Sequence, residues 1–111
     1  MRSYLIEDIS RENMDRIRNY LDKHGYRSSI EDLYWIEVPE ELLSPIQREH
    51  LSSCGPYIFS LETGKDWIKV ELLVRPRATL RCQCIRYASR EQRRYVIELV
   101  DEIIKGLDIA V

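Results

Sequence analysis

From Tyr57 to Tyr87 apolar side chains recur at alternate positions, and turn-forming clusters interrupt them twice. This pattern commits the segment to antiparallel strands. Thr63, Gly64, Lys65 and Asp66 form the first turn, and a centre at Gly64 and Lys65 sets Leu61 opposite Ile68 and Phe59 opposite Val70. Arg75, Pro76 and Arg77 form the second, which sets Val74 opposite Ala78, Leu72 opposite Leu80, Val70 opposite Cys82 and Ile68 opposite Cys84, and pairs Glu71 with Arg81 and Asp66 with Arg86. Both registers gather Tyr57, Phe59, Leu61, Ile68, Val70, Leu72, Val74, Leu80, Cys82 and Cys84 on one face. A slip of one residue would turn a whole strand inside out, so this agreement carries the reading.

Helices flank the meander. Ser10 is an N-cap with Ile9 and Met14 at staple spacing, Met14, Ile17 and Leu21 share a face, and Gly25 supplies the stop, with His24 as a cap or surface residue in the last turn. Leu33 to Val38 alternates as a strand ended by Pro39, and Tyr4 to Ile6 is apolar enough for a short edge strand. Ser44, Pro45 and Gln47 start a short helix running to about Leu51. Ser89 and Gln92 form a second capping box, opening a helix that runs to about Lys105. The expected fold is a two-layer α+β sandwich: an antiparallel sheet made of the meander 57–87 and strand 33–38, with the N-terminal and C-terminal helices on one face.

The chain of 111 residues is expected to be a single domain, and with no export signal and no bilayer-length apolar run it is expected to be cytoplasmic, with no membrane partner and reduced thiols. Between Arg75 and Arg94, seven arginines face the single acid Glu91, a net of +6 that leaves -8 on the remainder of a chain whose total is -2.

Two surfaces follow as candidates. Arg86, Ser89, Arg90, Arg93 and Arg94 surround a helix start, where positive charge opposes the dipole and an anion would be favoured. Ile58, Trp67, Leu73, Ile85 and Tyr87 lie on the outward face, with Trp67 beside Ile85, and form a candidate interface. His50, Cys54, Cys82 and Cys84 are the residue types of a Cys3His zinc site. The register opposes that site by putting Cys54 about 15 to 20 Å from Cys84. Core cysteines, no metal and no cofactor are therefore expected. No catalytic motif is present. The favoured function is association, with another copy or another protein. The alternatives are anion or RNA binding through 86–94, with nucleic acid disfavoured by the divided basic surface, and an unrecognised enzyme or metal protein.

Overall fold

The computed structural model describes residues 2–77 and 82–110. Serine caps start the three longest helices. Ser10 Oγ accepts from the Asn13 N–H to open α1 (Arg11–Lys23), which buries Met14, Ile17 and Leu21 and ends at His24, with Gly25 beyond it at a φ of 81°. The His24 ring stacks on Tyr20 at 3.9 Å. After β1 (Ser3–Ile6), α1 and β2 (Leu33–Glu37), a 3₁₀ turn leads to α2 (Pro45–Glu49) and the single turn α3 (Leu51–Cys54). β3 (Tyr57–Thr63), β4 (Ile68–Glu71), β5 (Leu73–Pro76), β6 (Arg86–Tyr87) and α4 (Arg90–Gly106) complete the chain.

Among the described residues six strands form one antiparallel sheet, and the fold is α+β as expected. Tyr34, Ile36, Phe59, Leu61, Ile68 and Val70 share its inner face. They belong to the same buried cluster as Met14, Ile17 and Leu21 of α1 and Val96, Val100, Ile103 and Ile104 of α4. The Tyr4 hydroxyl on β1 reaches Asp101 of α4.

The first hairpin differs from expectation by two residues. Thr63 pairs with Ile68 and Leu61 with Val70, so the connection is four residues long and the inner face is preserved.

The second hairpin is different in kind. Val74 lies opposite Arg86 and Leu73 opposite Tyr87, whereas Val70 and Ile68 pair with Tyr4 and Ile6 of β1. The N-terminal strand thus takes the edge of β4 that the expected register gave to the third meander strand. The tight turn at Arg75–Arg77 is absent too. β5 continues along β3, with Tyr57 opposite Pro76 and the Arg77 N–H donating to the Pro56 carbonyl at 2.8 Å. Continuing gives the start of β3 backbone partners that a turn would have removed. Ala78, Leu80 and Arg81, and with them the expected Glu71–Arg81 pair, lie outside the described residues. Arg75 instead meets Glu71 at 3.1 Å.

The two capping boxes meet. Gln47 Oε1 accepts from the Ser44 N–H and Gln92 Oε1 from the Ser89 N–H, while Gln92 Nε2 donates to Gln47 Oε1 at 2.9 Å and to the Leu42 carbonyl at 2.8 Å. Both glutamines are buried, and their hydrogen bonds make that burial affordable. Gln92→Leu leaves the Ser89 N–H and the Leu42 carbonyl without these partners. It is expected to lower the unfolding free energy by about 2 kcal/mol or more in urea titration. A loss below about 0.5 kcal/mol would show that the pair is passive.

Candidate metal centre

His50 is the only residue between α2 and α3, capping the end of one and the start of the other. Its carbonyl accepts from the Cys54 N–H at 2.8 Å, so the two side chains, four positions apart, project from the same side of one turn. Gly55 follows without room for a side chain: a Cβ there would stand 2.8 Å from the Leu51 carbonyl oxygen. The glycine lets the chain leave α3 tightly and enter β3 through the cis Gly55–Pro56 bond.

The other two cysteines, Cys82 and Cys84, lie against this turn. Cys54 Sγ lies 3.3 Å from Cys82 Sγ and 4.0 Å from His50 Nδ1, and His50 Nδ1 lies 3.3 Å from Cys82 Sγ. Ligand atoms of His50, Cys54, Cys82 and Cys84 all fall within 4.8 Å of one another. The expected separation of about 15 to 20 Å between Cys54 and Cys84 is therefore wrong, because it depended on a third strand paired along β4. A tetrahedral zinc with ordinary bond lengths has sulfur–sulfur edges of about 3.8 Å and sulfur–nitrogen edges of about 3.6 Å. The observed spacings bracket those edges.

Comparison with known proteins returns no matching family model, no similar curated protein and no similar solved structure.

The surroundings treat the thiols differently. Cys84 is fully buried and Cys54 nearly so, while Cys82 and His50 are half-buried. Hydrogen bonds from Cys84, side chain first and then its N–H, hold the Cys82 thiol below its ordinary range; that N–H lies 3.4 Å from Cys82 Sγ. Burial, reinforced by Cys82, pushes the Cys84 thiol up to about 11. Gln47 Nε2 donates to the Cys84 carbonyl at 3.4 Å, and Arg86 Nη1 donates to the carbonyls of Gln83 and Ile85, which fixes the loop from both sides. Tyr57 is 1% exposed, and among the described residues its hydroxyl has no partner in hydrogen-bond geometry. Burial first and the neighbouring Cys84 second hold its ionisation above the ordinary range.

Of the residues expected to bind an anion, two have other partners. Arg86 is engaged with loop carbonyls, and Ser89 is the N-cap of α4. Arg93 is half-buried, whereas Arg90 and Arg94 are exposed, with Arg94 beside a shallow groove that also holds Glu91, Glu98 and Glu102. The expected Asp66–Arg86 pair has no place in the observed register.

The expected interface divides as well. Leu73 pairs with exposed Tyr87, whose ring carries the Arg2 guanidinium at 3.8 Å, and Ile58 is buried nearby opposite Arg75. Ile85 is half-buried beside β6. Trp67 lies at the other end, against Gly64 in the first turn, on the order of 15 to 20 Å along the strand from Leu73, so it is not beside Ile85. The outer face between them carries the ion pairs Lys69–Glu62 and Arg75–Glu71.

The four ligand-type residues were visible in the sequence. Tyr57 and Gln47, which support them, carried no such signal. An unpartnered buried hydroxyl costs about 1 to 3 kcal/mol. Tyr57→Phe is therefore expected to leave the metal-free protein as stable as the wild type, or up to about 1 kcal/mol more stable, in urea titration with chelator and reductant. A clear destabilisation would show that the hydroxyl has a partner in the reduced, metal-free state.

Proposed function

We propose that this chain is a zinc-binding α+β domain in which His50 Nδ1 and the thiolates of Cys54, Cys82 and Cys84 hold one structural Zn²⁺. The observation that carries the reading is the convergence of these four ligand atoms within 4.8 Å, from two segments far apart in sequence. Core packing of cysteines accounts for buried sulfur. It does not account for an imidazole nitrogen directed at two of the sulfurs. Three thiolates and one imidazole favour zinc over magnesium or calcium, which prefer oxygen donors.

Four protein ligands make a closed site, the arrangement of structural rather than catalytic zinc. The ion would tie the loop between β5 and β6 to α3. Tyr57 supplies the outer shell: a buried hydroxyl without a partner beside a thiol becomes a donor with an acceptor once Cys84 is a thiolate. On this reading no coordination position is open to a substrate, and the domain acts by association.

Elemental analysis of freshly purified protein is expected to give one zinc per chain, and chelation is expected to lower the thermal midpoint by at least about 10 °C. His50→Ala and Cys82→Ser should lose the metal, and Tyr57→Phe should retain it with affinity weakened roughly tenfold. Protein without bound metal, whose midpoint ignores both chelator and added zinc, would refute the proposal.

A further inference from the structure

The four ligands are not equally placed. Cys84 is fully buried, and its backbone N–H points at Cys82 Sγ. Cys82 is half-buried, so it is the thiol most open to solvent, and its sulfur stands 3.3 Å from that of Cys54. A disulfide needs the two sulfurs about 2.05 Å apart, so closing the gap takes a movement of only about 1.3 Å. The segment around Cys82 is a connection between strands, whereas Cys54 ends a helical turn backed by β3. A bridge from Cys82 to Cys84, two positions apart, would close a small ring that ordinary disulfide geometry does not fit.

From this arrangement we infer that the centre is a peroxide-responsive thiol switch, in which Cys82 is oxidised first, Cys54 resolves it, and Cys84 stays reduced. The Cys82 thiolate attacks one oxygen of a hydroperoxide, the O–O bond breaks, and hydroxide or alkoxide leaves and takes a proton from water. The Cys54 thiolate then attacks the sulfur of the resulting sulfenic acid, forming the S–S bond and expelling the second oxygen as hydroxide. The two sulfurs lose two electrons in all, and the peroxide is reduced by two. The zinc part of the inference rests on the proposed centre: with two of its three sulfur donors in the bridge, the ion is released as unchanged Zn²⁺. The bridge spans the same α3-to-loop contact that the metal would, so the fold is retained.

The test treats zinc-loaded protein and, separately, chelator-treated protein with one equivalent of hydrogen peroxide. It reads zinc with a chromogenic chelator and the thiols by alkylation and peptide mass mapping. The expected result in both samples is a Cys54–Cys82 linked peptide with Cys84 alone alkylated. The loaded sample should also release one zinc per bridge, and dithiothreitol should restore three thiols and zinc uptake. A bridge containing Cys84, sulfinic or sulfonic acid at Cys82 without a bridge, or no reaction at one equivalent would overturn the switch. Failure of the zinc reading is separately visible as an absence of metal before peroxide is added, and the chelator-treated sample still decides the thiol chemistry.

Discussion

The hydrogen bond between Gln92 and Gln47 joins the start of α4 to the start of α2. Each glutamine closes the capping box of its own helix, and each has one remaining group that must find a partner in a buried place. Gln92 uses its amide on Gln47 and on the Leu42 carbonyl, and Gln47 uses its amide on the Cys84 carbonyl. The start of α4, the start of α2 and the cysteine loop are therefore held in one network. A buried network of this kind enforces position, because displacing any member leaves the others unsatisfied. His50 and Cys54 follow directly from α2, so the network also sets the distance between the two halves of the candidate centre.

A competition for one sheet edge decides the rest. β4 offers its outer edge to whichever strand pairs with it first and best, and β1 occupies it through Tyr4 and Ile6. The chain after β5 is thereby kept from folding back along β4. Cys82 and Cys84, just ahead of the two-residue β6, lie beside α3. The same event that shortens the sheet on that side delivers Cys82 and Cys84 to Cys54.

Local grammar was legible in the sequence. The serine caps at Ser10, Ser44 and Ser89, the glycine after the first helix and the inner-face alternation through Val74 all depend on residues near each other, and all are present. What failed depended on partners distant in sequence. The motif Arg75-Pro76-Arg77 resembles a hairpin turn locally, but the pairing of β5 with the start of β3 and of β1 with β4 takes its place. The proposed metal centre was passed over through the same error. Its residue types were in view, and the spacing that argued against them came from the misplaced third strand.

The central claim is that three sulfurs and one imidazole nitrogen surround a single zinc ion. Zinc X-ray absorption fine structure of the loaded protein tests it most directly, since it reports donor types and distances at the metal. The account predicts three sulfurs at about 2.3 Å and one nitrogen at about 2.0 to 2.1 Å. A shell dominated by nitrogen and oxygen, or one with fewer than three sulfurs, would contradict it.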